Sequence, residues 1–245
     1  MSELAVVREG EGPEVLLVHG GASPRTTWAG LEPLAARWTL AYVYRRGYPP
    51  SPPAPPRPQD FEVDTRDLLE LLEGRPHVVA HSYGALGAAI AATRRPELVR
   101  SLTLIEPPLY LDPDDPEAAR VRRLGDEVLK HGMDADPAVL REFLRHAGAP
   151  VPDEGPLPEA VAAGVRRAHG GRSPSEARPP LEVLREAGIP CLVASGGQDP
   201  GPERICDLVA SALGGRRIVV PGAGHFVAAA PGFAEQLEAF LRAAG

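Results

Sequence analysis

One junction in the sequence reads HVVAHSYGALG, from His77 to Gly87. A short apolar run leads directly into Ser82, and a run rich in small residues follows it. The pattern predicts a strand that turns sharply into a helix, with small neighbours two positions either side of the serine because the backbone is crowded there. Such a turn lifts the hydroxyl above the sheet at a helix N-terminus, where unpaired N–H groups stabilise negative charge. Ser82 is therefore a candidate nucleophile, and an ordinary helix N-cap serine is the alternative.

Three further predicted strands end in glycine-containing loops, and each loop adds one element of the same chemistry. The first runs into His19-Gly20-Gly21, the second into a Gly-Gly pair before Asp199, and the third into a loop that presents His225. Parallel strands end at one edge of a sheet, so these loops are expected to meet near Ser82. The backbone N–H groups of Gly21 and Tyr83 are the predicted oxyanion donors.

A serine hydroxyl needs a neighbouring base, and that base needs an acceptor that fixes its tautomer. His225 is the predicted base. Asp199 is the predicted acid because it follows the Gly-Gly loop, and Glu106, which follows another strand, is the alternative. The resulting chemistry is hydrolysis through an acyl-enzyme, without a metal or organic cofactor. No metal site is expected, because no second ligand stands at a suitable spacing from His19, His81 or His225.

Apolar runs alternate with helix-period segments, which is typical of a mostly parallel sheet with helices on both faces. Strands are predicted at Leu4–Val7, Val15–Val18, Thr39–Tyr44, His77–Ala80, Ser101–Ile105, Pro190–Ala194 and Arg217–Val220, the first two as a hairpin. Helices are predicted at Thr27–Arg37, Phe61–Leu72, Tyr83–Arg94, Pro202–Leu213 and Gly232–Ala243. The core is thus expected to comprise residues 1–110 and 181–245. Residues 111–180 contain only helix-period segments, and this stretch is too long for a simple loop, which predicts a helical cap.

The chain resembles the α/β-hydrolase superfamily in the order Ser82, Asp199, His225 and in the positions of these residues at strand ends. The resemblance covers Val15–Pro108 and Leu181–Leu241, with Ala80 in place of the usual first glycine of the serine turn. Within that superfamily the chain is most similar to the capped branch, which holds esterases, lactonases, carbon–carbon bond hydrolases and haloperoxidase-like proteins. The resemblance implies the α/β-hydrolase fold and a carboxylic ester hydrolase.

Aromatic and histidine side chains near these loops are assigned from their positions in the pattern. Four aromatic residues are candidates for lining the substrate pocket: Trp28, Tyr83, Tyr110 and Phe226. His19 and His81 are expected to support the loops. The histidines of the cap, His131, His146 and His169, are expected to be solvated.

Composition limits the partners of the protein. A formal net charge of −7 argues against nucleic-acid binding, which requires a concentrated basic face. No apolar stretch is long enough for a membrane span and no signal peptide is evident, so a cytoplasmic protein is expected, with Cys191 and Cys206 as buried thiols. The expected partner is a small-molecule substrate with an ester, lactone or thioester bond; a monomer and a homodimer are both open. The alternative function is a non-hydrolytic protein of the same fold, a lyase, an isomerase or a small-molecule receptor.

Overall fold

The computed structural model describes residues 4–245, so residues 1–3 of the predicted core lie outside the described residues. Its strands are β1 (Val6–Glu9), β2 (Glu14–Val18), β3 (Thr39–Val43), β4 (His77–His81), β5 (Ser101–Ile105), β6 (Cys191–Ser195) and β7 (Arg216–Val219). They form one sheet in the order β1-β3-β2-β4-β5-β6-β7. Every neighbouring pair is parallel except β1 and β3. The predicted α/β sheet is confirmed, and its parallel strands end at one edge.

The predicted hairpin of the first two strands is wrong. β1 pairs antiparallel with β3, with Val6 opposite Val43, while β2 lies between β3 and β4. The reason is burial: Val15–Val18 is buried throughout, as a central strand covered on both faces must be, whereas β1 is largely exposed. An exposed strand is tolerated only at the edge of the sheet, where β1 lies.

Helices cover both faces of the sheet. They are α1 (Pro24–Thr27), α2 (Phe61–Leu71), α3 (Gly84–Arg94), α4 (Pro116–His131), α5 (Pro137–His146), α6 (Glu159–Ala168), α7 (Glu182–Glu186), α8 (Pro200–Leu213) and α9 (Phe233–Ala243). Alternate residues of β2 point to opposite faces: Leu16 belongs to the apolar cluster that includes residues of α2, α3 and α8, and Leu17 belongs to the cluster that includes residues of α9. Two apolar layers therefore sandwich the sheet.

The single helix predicted at Thr27–Arg37 is wrong. The chain instead forms the one-turn helix α1 and a 3₁₀ turn at Glu32–Ala36. Gly30 separates them with φ +96°, a left-handed conformation that no helix interior accommodates. A β-carbon at Gly30 would lie 2.7 Å from the carbonyl oxygen of Ala228, so the chain also passes too close to its neighbour for a larger residue.

Residues 111–180, between β5 and α7, form α4, α5 and α6, which share a small apolar cluster of their own around Val128, Leu144 and Val165. We call residues 111–180 the helical insertion. Asp115 and Asp136 cap the N-termini of α4 and α5 by accepting hydrogen bonds from backbone N–H groups of the first turn. Within residues 4–245, no helix combines the length and apolar character needed to cross a bilayer. Cys191 and Cys206 are free, buried thiols.

Candidate active site

Ser82 lies at the sharp turn between β4 and α3. Its φ is +51°, a left-handed conformation that is uncommon for a residue with a side chain. The turn is held by the Ser82 N–H, which donates to Ile105 O at 2.9 Å, and by Ser82 O, which accepts from Ala85 N–H at 2.9 Å. A β-carbon at Gly84 would lie 2.2 Å from His19 O, so only glycine fits two positions after the serine. The strained turn predicted from the sequence is present.

His225 is paired with Glu106, and not with the predicted acid. Its Nδ1 lies 2.6 Å from Glu106 Oε2. Glu106 follows β5, is 5% exposed, and also accepts hydrogen bonds from Gly196 N–H and from the Gln198 side chain. Burial alone would raise the pKa of Glu106, but the bonds from His225, Gly196 and Gln198 hold it below its usual range. Glu106 is therefore expected to stay a carboxylate and to hold the proton of His225 on Nδ1, which leaves Nε2 of the same ring without that proton.

His81 supports the loop that carries His225. Its Nε2–H donates to His225 O at 2.9 Å, and the two rings lie 4.5 Å apart between centroids. Burial, followed by the charge of His225, lowers the pKa of His81 to about 3, so this ring is neutral. Because His81 directly precedes Ser82, this contact ties the loop of the histidine to the turn of the serine.

The His19-Gly20-Gly21 loop packs directly against Ser82. A β-carbon at Gly20 would lie 2.7 Å from Ser82 Cβ and 3.2 Å from its Oγ. The His19 Nδ1–H donates to Gly20 O at 3.0 Å, and the Tyr48 hydroxyl donates to Gly21 O at 2.9 Å. The loop is thus held on both carbonyls, and Gly21 and Tyr83 both border the space above Ser82.

A cavity of about 550 Å³ opens above these residues and is lined by Ser82, His225 and Glu106 together. The helical insertion forms its far wall, which is mainly apolar and includes Val121, Val128, Leu129, Phe143, Leu144 and Val165. Arg122 and Arg167 also border it, and neither forms an ion pair within 4.0 Å with another described residue. An apolar pocket with a few convergent polar groups is typical of a small-molecule site.

Comparisons with known proteins agree with this fold. A family model described as the alpha/beta hydrolase family matches residues 15–236. The chain belongs to the α/β-hydrolase family. This α/β-hydrolase is 34% identical to a pimeloyl-[acyl-carrier protein] methyl ester esterase of Methylococcus capsulatus in an alignment of 197 residues. The alignment covers 76% of this chain and 72% of the relative. It is 27% identical, over 91% of its length and 85% of the relative's, to a 2-(acetamidomethylene)succinate hydrolase of Mesorhizobium japonicum.

A solved esterase from Thermogutta terrifontis shares the fold of the hydrolase. The TM-score is 0.70 at 22% identity, and the match covers 98% of this chain and 93% of the esterase. A bacterial membrane phospholipase A gives a TM-score of 0.71 at 21% identity, over 98% of this chain and 83% of the other. At these identities the likeness concerns the fold alone.

Asp199, the acid predicted from the sequence, has a different partner in this α/β-hydrolase. Both of its oxygens accept hydrogen bonds from one nitrogen of Arg120, at 2.6 and 2.7 Å, and Oδ1 also caps α8 through Gly201 N–H. Its other neighbour is His146, whose Nδ1 lies 3.4 Å from Oδ2. Although partial burial opposes it, the bond from Gly201 and the Arg120 charge hold the pKa of Asp199 below its usual range. The assignment of Asp199 to His225 is corrected: Arg120, from the helical insertion, holds its carboxylate.

His146 was expected to be solvated, and this expectation is wrong. The ring borders the cavity, its side chain is 11% exposed, and its Nε2 is buried without a hydrogen-bond partner among the described residues. Burial is the main cause that lowers its pKa. No local pattern indicated this, because His146 is the last residue of an amphipathic helix and only the packing of the insertion places it beside Asp199.

The predicted pocket aromatics divide into two groups. Tyr110 and Phe226 border the cavity. Trp28 does not contribute to the lining: it is 1% exposed within the apolar layer beside α9, with its ring edge-on to His81 at 6.4 Å. Trp28 follows the Gly-Gly loop closely in sequence, but it stands at the end of α1 with its side chain in the apolar layer and not in the cavity. The Tyr83 ring borders the cavity, and its hydroxyl donates to Arg172 O at 2.9 Å.

Sequence reasoning missed a buried ion pair that contacts the His19-Gly20-Gly21 loop, where Arg45 Nη1 donates to Gly20 O. Arg45, just after β3, donates through Nε and Nη2 to Asp64 Oδ2 at 3.0 and 2.7 Å, and the side chains are 2% and 4% exposed. An Arg-Arg pair after a strand and acidic residues in the first turns of α2 were the available indications. They did not specify which arginine faces inward.

Proposed function

We propose that this α/β-hydrolase is a serine hydrolase of carboxylic esters, with Ser82 as nucleophile, His225 as general base and Glu106 as the acid that orients it. The observation that carries the proposal is the 2.6 Å contact between His225 Nδ1 and Glu106, on a loop bound to the strained turn of Ser82. A relative that is 34% identical and named a methyl ester esterase supports the choice of an ester.

In the proposed mechanism, His225 Nε2 takes the proton of Ser82 as its Oγ attacks the carbonyl carbon. The tetrahedral oxyanion is held by the N–H groups of Gly21 and Tyr83. The imidazolium is stabilised by the Glu106 carboxylate, then passes its proton to the leaving alcohol. Water attacks the acyl-enzyme by the same route, which releases the acid and restores Ser82.

We propose residues 111–180 as a cap that selects the substrate, because α4, α5 and α6 supply most of the apolar wall above Ser82. Tyr110 and Phe226 complete this wall beside the core. The substrate class that fits is a small carboxylic ester, lactone or thioester with an apolar acyl group. The volume of about 550 Å³ accommodates such a molecule, because small-molecule pockets commonly measure about 300–1,000 Å³.

Labelling with a fluorophosphonate tests the proposal. The wild type is expected to gain one phosphonate adduct on Ser82, measured by mass spectrometry of the intact protein and its peptides. Ser82→Ala should gain none and should lose turnover of p-nitrophenyl butyrate, while its melting curve stays close to the wild type. A folded wild type that neither labels nor hydrolyses a panel of short- to long-chain esters, lactones and thioesters would instead favour a lyase, an isomerase or a receptor.

A further inference from the structure

The direction of the Gly21 N–H group is set by the carbonyl at the other end of the same peptide unit. Gly20 C=O and Gly21 N–H belong to one planar peptide, and in the trans form they point in opposite directions. Gly20 O accepts two hydrogen bonds from beneath the loop, from His19 Nδ1 and from Arg45 Nη1, each at 3.0 Å. Two donors on the carbonyl therefore hold the peptide plane with its N–H on the opposite side.

Arg45 also fixes the second of these donors. Its backbone N–H donates to His19 Nε2 at 3.1 Å, so the proton of the His19 ring must be on Nδ1, where it reaches Gly20 O. Burial and the neighbouring Arg45 charge lower the pKa of His19 to about 3, which keeps the ring neutral and this arrangement in place. The guanidinium carbon lies 4.9 Å from the ring centroid of Tyr83, the residue of the other predicted oxyanion donor.

The ion pair of Arg45 with Asp64 has no evident value as a source of stability. Both side chains are almost wholly buried, and a buried ion pair seldom stabilises a fold more than apolar residues of the same volume do. Two apolar residues of the same volume would not donate a hydrogen bond to Gly20 O, as Arg45 does. Hydrogen bonds to a carbonyl also polarise its peptide unit, which makes the N–H at its other end a stronger donor.

We propose that Arg45, anchored by Asp64, is a positioning residue that orients and polarises the Gly20–Gly21 peptide as one half of the oxyanion site. This inference rests on the proposed serine mechanism. The oxyanion exists only in the transition state, so the loss of Arg45 lowers kcat and leaves KM nearly unchanged. A residue that served only to stabilise the fold would change the melting temperature without this selective effect.

Two variants separate positioning from folding. Arg45→Lys keeps a charge opposite Asp64, but a single ammonium does not reproduce the fork that reaches Asp64 and Gly20 O together. The double variant Arg45→Met with Asp64→Asn removes both buried charges, so that neither is left unpaired. Arg46→Met is the matched control, because Arg46 is the next residue and pairs with Asp67 on the same helix.

Both test variants are expected to lose about 10- to 100-fold in kcat on p-nitrophenyl butyrate, somewhat less than the deletion of one oxyanion donor costs. KM should stay within about threefold, because ground-state binding does not use the oxyanion donors. The affinity for a trifluoromethyl ketone, whose adduct with Ser82 carries an oxyanion, should fall by the same factor as kcat/KM. Arg46→Met should match the wild type in all three measurements.

The proposal is overturned if either test variant folds, as judged by circular dichroism and a cooperative melt, and keeps the wild-type kcat. A loss of kcat without weaker binding of the trifluoromethyl ketone overturns it as well. Failure of the serine mechanism itself gives a different result, since the wild type would then neither label with a fluorophosphonate nor hydrolyse the ester.

Discussion

Exchanging each of two carboxylates for its amide distinguishes the acid of the triad. Glu106→Gln replaces the oxygen that lies 2.6 Å from His225 Nδ1 by a group of the same size without charge. Asp199→Asn makes the same change one strand further along, where the partner is Arg120. The two variants are matched in chemistry, and both positions lie at the same edge of the sheet.

The expected magnitudes follow from the contacts. A triad that loses its carboxylate loses about 10³- to 10⁴-fold in kcat, roughly 4–5.5 kcal/mol, because the base adopts the wrong tautomer and its cation is no longer stabilised. Asp199→Asn loses an ion pair that is partly exposed, which costs about 1 kcal/mol of stability or less. Asparagine still caps a helix well, so the start of α8 should be preserved. Its kcat should therefore stay within a few-fold of the wild type.

The assay is steady-state hydrolysis of p-nitrophenyl butyrate between pH 6 and 9, with thermal melts to confirm folding. Fluorophosphonate labelling rates provide a second readout, because they depend on the activation of Ser82 but not on product release. If Asp199→Asn is nearly inactive while Glu106→Gln retains most of its activity, then the acid assignment made from the geometry of His225 is wrong.

Three further expectations concern stability and specificity. Burial lowers the pKa of His77 to about 4, so on acidification the unfolded chain takes up a proton at this histidine before the folded chain does, and the free energy of unfolding falls as the pH drops from about 6.5 to 4. His77→Gln should lessen the slope of the free energy of unfolding against pH by about 1.4 kcal/mol per pH unit, measured by urea unfolding. Gly84→Ala should abolish activity or folding, since its β-carbon would meet His19 O at 2.2 Å; a fully active, wild-type-like variant in melts and assays would refute this. Arg122 borders the cavity without an ion-pair partner among the described residues, so Arg122→Gln should lower kcat/KM about tenfold for monomethyl esters of dicarboxylic acids relative to neutral methyl esters of equal length. Arg123→Gln, at an exposed position, is the control. Equal losses of kcat/KM on both kinds of ester would contradict the expectation.

The alternation of apolar runs and amphipathic segments was sufficient to predict the sheet and most helices. β5 (Ser101–Ile105) was predicted to the residue, because five buried residues lie between clear breaks. The pairing of β1 was not predicted, because proximity in sequence favours a hairpin while the burial of β2 requires parallel neighbours on both sides. Strand order depends on the whole sheet, and no local pattern encodes it.

The candidate site was predicted in part. The sharp turn at Ser82 was predicted because such a turn requires small neighbours, a requirement that is visible in one short stretch. The sequence favoured Asp199 as the acid because it follows the Gly-Gly loop, although Glu106 also follows a strand that ends at the same edge. The structure separates them: His225 Nδ1 lies 2.6 Å from Glu106, whereas Arg120 of the helical insertion, 79 residues away in the chain, binds Asp199.

The contact of Arg120 with Asp199 has a consequence for engineering. A chimaera that grafts residues 111–180 of another hydrolase onto this core would remove Arg120, the cation that pairs with Asp199, and leave a partly buried carboxylate without that partner. A successful graft would need to import an arginine at the equivalent point of its first helix or replace Asp199 by asparagine. Exchange of the helical insertion is thus constrained by the carboxylate of Asp199, which remains in the chain that receives the graft.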